Sequence, residues 1–276
     1  MGWQARLSLA LALQGERCVA RFEHEGPLRI LQTLYPEGDA IAHNVLVHPP
    51  GGLVGGDELS LDLRAGAGAH GLVTTPGASR FYRSAGEAAV QRTRITLAEG
   101  ARFEWLPLEA ICYSGCIARN HLALALAPGA EAIGWDVVAL GLPESMLPFD
   151  RGSLLQDLSL GDRWLEHARI DAGDARLMDG PLGLAGHRCL GTLFFACGGG
   201  LARSRRDLAL DAAREVIAAH PLAASAGATS PAPGVVVVRV LGPLVEPVLG
   251  LLKAIRAAWR PALWSLEAVV PRSWAS

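Results

Sequence analysis

The side chains best placed to do chemistry in this 276-residue chain are carboxylates set beside glycines or tryptophans. Asp57 follows Gly51-Gly-Leu-Val-Gly-Gly56, Glu104 and Glu109 bracket Trp105-Leu-Pro-Leu108, and Asp136 follows Trp135 inside an apolar run. A carboxylate within an apolar strand is costly unless it is paired or faces water. Two readings therefore stand for each acid. In one, Asp57 is a turn residue, Glu104 lies on a strand's solvent face, and Asp136 is buried against Arg80 or Arg83. In the other, the acids form a file of oxygen ligands along a water-filled passage. Oxygen donors hold a borderline divalent cation less tightly than imidazole or thiolate, which suits brief contacts.

Cys112 and Cys116, with His121 nearby, invite a metal or redox site. On one extended strand they would share a face about 13 Å apart, too far to share an ion. A turn at Ser114-Gly115 would fold them together, while plain core packing is the commoner fate of a free cysteine. His43 and His48, five apart on a strand, point to opposite faces. Arg80-Phe-Tyr-Arg83 combines guanidinium and aromatic groups on a glycine-flanked loop, either as an interface anchor or as local salt bridges. Ser79 and Ser84 lack a nucleophile elbow, and no histidine spacing favours a triad, so no catalytic residue is expected. Gly51–Gly56 has phosphate-loop spacing, but Asp57-Glu58 stands where Lys and Ser/Thr are needed. Gly66-Ala-Gly-Ala-His-Gly71 should open a helix, yet β-branched residues and Pro76 follow. No bound cofactor is expected.

The elements that must hold these residues read as β. Leu59, Leu61 and Leu63 alternate with Glu58, Ser60 and Asp62, as in a half-buried strand. The pattern L-x-x-G-A recurs at Leu63–Ala67, Leu97–Ala101 and Leu126–Ala130, each time between two β-like runs. That predicts a mostly β fold of stacked strands, a β-helix or solenoid-like sandwich. Two helices are predicted near the C-terminal end, over 207–220 and 244–258, with Pro247 tolerated in the first turn of the second. Residues 225–234 read as loop. No charged or low-complexity linker divides the chain, so a single domain over 1–276 is expected, with a β body to about 200 and an α/β closing section from about 201.

Composition narrows the classes. The net charge of −2 gives no basic footprint for nucleic acid. No apolar run reaches the ~20 residues of a membrane span, and no signal peptide is apparent. Five scattered cysteines do not resemble a disulfide framework. A soluble cytoplasmic protein is the expectation.

Several motifs, in order, carry a family resemblance. They are His48-Pro-Pro-Gly-Gly-Leu-Val-Gly-Gly-Asp57, Thr74-Thr-Pro-Gly-Ala-Ser-Arg-Phe-Tyr-Arg-Ser84 and Glu104-Trp-Leu-Pro107. Trp135-Asp136, Leu140-Gly141, Arg239-Val-Leu-Gly242, Trp259-Arg-Pro261 and Pro271-Arg-Ser-Trp274 continue the series. The chain resembles the urease accessory protein D family (UreD/UreH) over most of its length. It departs at Leu108, at Leu142, in the 142–149 loop and in its terminal PRSW. The resemblance implies a non-enzymatic scaffold for maturation of urease by nickel insertion. Its partners would be apo-urease, UreF and the GTPase UreG, with UreE delivering nickel. It also implies a passage for transient Ni²⁺, with Asp57, Asp136 and Glu109 as candidate contacts. Ser79, Arg80, Tyr82, Arg83 and Trp274 are the candidate interface residues. Two other classes stand beside it: a stand-alone nickel or zinc carrier, from the acids and the cysteine pair, and a β-solenoid carbohydrate-active enzyme, from the repeat.

Overall fold

A computed structural model of the chain describes residues 2–274. In β1 (Gln4–Gln14) every second residue, Ala5, Leu7, Leu9 and Leu11, is buried, and a turn at Gly15 returns the chain as β2 (Arg17–Glu25). A second hairpin follows, β3 (Arg29–Leu34) with β4 (Ile41–Val47). Then come three coils, each giving one long strand to each of two facing sheets, the second and third adding a short strand where the chain turns. They are β5 (Glu58–Ala65) with β6 (His70–Thr74); β7 (Ser79–Phe81), β8 (Ala89–Leu97) and β9 (Arg102–Leu106); and β10 (Ala110–Cys112), β11 (Cys116–Leu126) and β12 (Glu131–Leu142). The short β13 (Leu147–Pro148) folds back on β12, and the hairpin β14 (Gly152–Leu160) with β15 (Trp164–Asp171) closes one sheet. A five-residue helix α1 (Ala175–Asp179) leads to β16 (Cys189–Cys197). Helix α2 (Arg203–Ala218), the hairpin β17 (Ala226–Ala232) and β18 (Val235–Gly242), and helix α3 (Val245–Trp264) complete the fold.

Sheet one is ordered β15-β14-β11-β8-β5-β1-β2, and sheet two β17-β18-β16-β12-β9-β6-β4-β3, with β7, β10 and β13 attached. Their centres are parallel, as stacked coils require, and their flanks are antiparallel hairpins. The solenoid-like sandwich read from the repeat is therefore present.

The first copy of the repeat is displaced, however. Leu97 lies opposite Ala65, and His70 opposite Arg102, so the glycines that coincide are Gly68, Gly100 and Gly129. All three have positive φ, which an L side chain rarely adopts. The two-residue shift preserves strand alternation, so sequence periodicity does not detect it.

The two sheets differ in covering, and their sequences record it. Sheet one turns its outer face to solvent, so β1, β5, β8 and β11 alternate. Sheet two is packed on one side by sheet one and on the other by α2 and α3. Its strands β6, β12 and β16 are accordingly buried almost continuously. Helix α3 supplies Val248, Leu251, Leu252, Ile255 and Trp259 to this second core, and α2 supplies Ala209, Ala213 and Ile217.

Helix α2 begins before residue 207, and α3 runs past residue 258 through Pro261. Residues read as loop at 225–234 instead form β17, an edge strand whose register shifts between Thr229 and Ala232, near Pro231. Pairing to the Val-rich β18 outweighs that segment's poor strand propensity. Among the described residues, no helix is long and apolar enough to cross a membrane.

Candidate functional site

Between the sheets lies a cavity of about 230 Å³. Its walls are the inward positions of parallel strands: Leu59 and Leu61 on β5, Gln91 and Thr93 on β8, Asn120 and Leu122 on β11. Sheet two contributes Trp105 and Asp136. His48, Gly51 and the segment from Thr75 to Arg80 border it where the coils turn. Strand alternation predicts apolar residues at all these inward positions. Gln91, Thr93, Asn120 and Asp136 break that rule together: the parallel register gathers the first three on sheet one, and Asp136 meets them from the facing sheet.

Asp136 is the acid of this cavity. Its Oδ2 accepts from Asn120 Nδ2 at 2.6 Å, and its Oδ1 accepts from Gln156 Nε2 at 2.5 Å. Burial raises its pKa to about 6, against the pull of the two amides and the charge of Arg239. The buried arginine partner expected from sequence is neither Arg80 nor Arg83. Arg80 donates to Gly51 O at 3.3 Å, whereas Arg239 lies in the same cross-strand row as Asp136, through Thr192, and pairs with Glu166. The carboxylate is thus held by neutral donors and left without a close cation.

The other acids are elsewhere. Asp57 is buried and works as a turn residue, accepting from Trp3 N at 2.7 Å and Val54 N at 2.9 Å. It reaches the cavity only as a charge beside His48. Glu109 is half-buried, and its field acts on Cys189 and Lys253 at the helix-covered face of sheet two. Glu104 does not face solvent. It is fully buried under α3, with Arg256 Nε at 2.6 Å and Arg260 Nη1 at 3.7 Å. Burial alone would raise its pKa, but His70, Arg256 and Arg260 outweigh burial and bring it down to about 2. Arg260 also binds Glu37, which accepts from His43 Nε2 at 2.7 Å. The structure therefore does not bring Asp57, Asp136 and Glu109 into one file.

The candidate interface residues divide between the loop end of the coils and the C-terminal segment. Ser79 borders the cavity, and its N–H donates to Glu109 O. Tyr82 stacks on Tyr113 at 5.2 Å and, with Arg83 and Val54, is exposed. Trp274 folds inward. It lies 5.3 Å from Trp135, donates from Nε1 to Thr74 Oγ1 at 2.9 Å, and has the Lys253 ammonium over its ring. Trp135 in turn donates to Pro107 O at 2.6 Å, so the tail braces strand ends next to the cavity's border. His121 is directed to the outer face of sheet one, where it binds Asp157 at 2.6 Å, away from the cysteines.

Sequence reasoning did not single out Asn120, Gln156 or Gln91, and met Arg239 only as part of a family motif. The available signal was parity, since Asn120 follows Ala118 and precedes Leu122 on a face that is otherwise apolar.

With this geometry in view, the chain matches the model of the UreD urease accessory protein family over residues 4–275. The chain belongs to the UreD family. Relatives named urease accessory protein UreD include one from Polaromonas sp. (strain JS666 / ATCC BAA-500), 62% identical over 99% of both chains. Another, from Variovorax paradoxus (strain S110), is 61% identical over the full length of both. A third, from Leptothrix cholodnii, is 55% identical over 99% of both. The UreD match spans both sheets and both large helices, so the cavity and the ion cluster beneath α3 lie within the shared region.

Proposed function

We propose that this protein serves urease maturation as a non-enzymatic scaffold. In this reading it bridges apo-urease to UreF and the GTPase UreG, with UreE delivering the metal, and it passes Ni²⁺ transiently through the space between its sheets. The observation that carries the proposal is Asp136, an enclosed carboxylate with no ion-pair partner among the described residues, set with Gln91, Thr93 and Asn120 in an otherwise largely apolar cavity, within a chain of the UreD urease accessory family. A carboxylate held by amides offers a weak site for a divalent cation, and weak binding is what a conduit needs. Neutralised by a passing Ni²⁺, Asp136 would no longer bear the cost of burial. Asp57 shapes the adjoining turn, and Glu109 lies on the other face of sheet two, so Asp136 is the acid favoured for metal contact.

The test uses cells carrying a complete urease operon. Deleting this gene should leave apo-urease present, nickel-free and inactive. Restoring it as Asp136→Asn should return the complex with urease and UreF on co-purification, while urease nickel content stays low. Full activity without the gene would sink the assembly role. Full nickel loading with Asp136→Asn would remove the conduit while sparing the scaffold.

A further inference from the structure

The structure joins Cys112 and Cys116 in a way the function above does not use. Cys112 ends β10, with its backbone in register with Phe81 of β7 and Leu140 of β12. Cys116 opens β11, in register with Gly152. Between them the chain turns back: Cys116 N donates to Tyr113 O at 3.0 Å, and Gly115 takes φ +82°. Neighbouring coils hold that turn from both sides, through Ser84 N to Gly115 O at 2.9 Å and Gly115 N to Arg151 O at 2.7 Å. Both sulfurs are fully buried at the two ends of this turn, in the same apolar core between the sheets. Cys18, Cys189 and Cys197 are also buried. The last two give their weak S–H contacts to backbone carbonyls at 3.7 Å, with no second thiol.

We propose that Cys112 and Cys116 are a redox modification site, a reduced pair set to close into an intramolecular disulfide across the 113–115 turn. The surroundings favour this over a soft-metal site. A two-thiolate metal centre needs both sulfurs ionised, and the neighbouring Cys116, then burial, then the charge of Asp136 oppose ionisation of Cys112. A disulfide is neutral and matches the apolar core around it. The roles are unequal: the neighbouring Cys112 thiol lowers the pKa of Cys116, which makes Cys116 the attacking sulfur.

With hydrogen peroxide as oxidant, the Cys116 thiolate attacks one peroxide oxygen. The O–O bond breaks, hydroxide leaves, and Cys116 becomes a sulfenic acid. Cys112 sulfur then attacks Cys116 sulfur, an S–S bond forms, and the sulfenic oxygen leaves as water with the Cys112 proton. Two thiols and one peroxide give one disulfide and two waters. Access requires the 113–115 turn to open briefly, and closure ties β10 to the start of β11.

The full chain tests this directly. It is treated with graded peroxide, alkylated under denaturing conditions without reductant, and digested with trypsin, which leaves both cysteines in the peptide 103–119. The expected result is loss of alkylation at both sites, a mass lower by two hydrogens, and full recovery after a phosphine reductant, before Cys18, Cys189 or Cys197 changes. In Cys112→Ser, Cys116 should instead be trapped by dimedone as a sulfenic acid. The proposal is overturned if both thiols still alkylate at doses that oxidise the other three. Cross-links to those cysteines, or sulfinic acids at 112 and 116 in place of the bond, overturn it as well.

Discussion

Glu104 and Asp136 stand on adjacent parallel strands of one sheet, β9 and β12, yet on opposite faces. Both are carboxylates inside apolar runs, and both are enclosed by protein. Glu104 has two buried guanidinium groups and is held near pKa 2, whereas Asp136 has two neutral amides and rises to about 6. Burial opposes ionisation in each, and only the identity of the neighbours decides which way the group moves. A saturated carboxylate fastens structure, and an undersaturated one remains open to a passing cation.

The largest effect should come from breaking the saturated side. Glu104→Gln leaves Arg256 and Arg260 buried with one counter-charge fewer, and should cost about 3–5 kcal/mol in denaturant unfolding. A cost below about 1 kcal/mol would mean the cluster beneath α3 is not a fastening. Its pH signature follows from a depressed carboxylate. The stabilisation is present above the unfolded pKa near 4 and is lost as pH falls toward 2.

Asp136 should behave with the opposite sign. The folded state keeps its proton to about pH 6 while the unfolded chain releases it near 4, so stability declines as pH rises through that window. Asp136→Asn should remove the decline and stabilise the protein by on the order of 2 kcal/mol at pH 8. Thermal melts of both proteins from pH 4 to 8 check this, and parallel curves would refute the uncompensated burial of Asp136.

Asp57→Ala sharpens the contrast from a third side. If Asp57 is the turn residue its contacts describe, losing acceptance from Trp3 N and Val54 N should cost about 2 kcal/mol. Nickel loading of urease by correctly folded variant should then follow stability alone. Loss of loading in a fully stable variant would restore Asp57 as a metal contact.

The smallest effect is expected at Trp274, which is half-buried. Trp274→Ala removes a ring contact and one hydrogen bond, for about 1–2 kcal/mol. Trp274→Phe should recover most of the packing component. If Trp274→Ala is fully stable but fails to co-purify with urease or UreF, the residue serves an interface after all.

The sequence by itself determined most of the strands, their coil-like recurrence and the existence of the two large helices, though not the edge strand β17. Alternation and burial follow directly from which faces each strand must hide, as β1 and β12 illustrate. It also carried the family, because the motifs lie in order along nearly the whole chain. Tertiary structure decided what each acid is for. Asp57, Glu104, Glu109 and Asp136 look alike as carboxylates near glycine or tryptophan, and their surroundings come from residues far away in sequence. Arg256 and Arg260 reach Glu104 across about 150 positions, and Asn120 and Gln156, neighbours on sheet one, reach Asp136 only across the sandwich. Register also chose Gly68 over Gly66 as the first coil glycine, and a turn brought Cys112 to Cys116. Local patterns specify which face a side chain takes. Electrostatic character depends on partners that only the closed sandwich supplies.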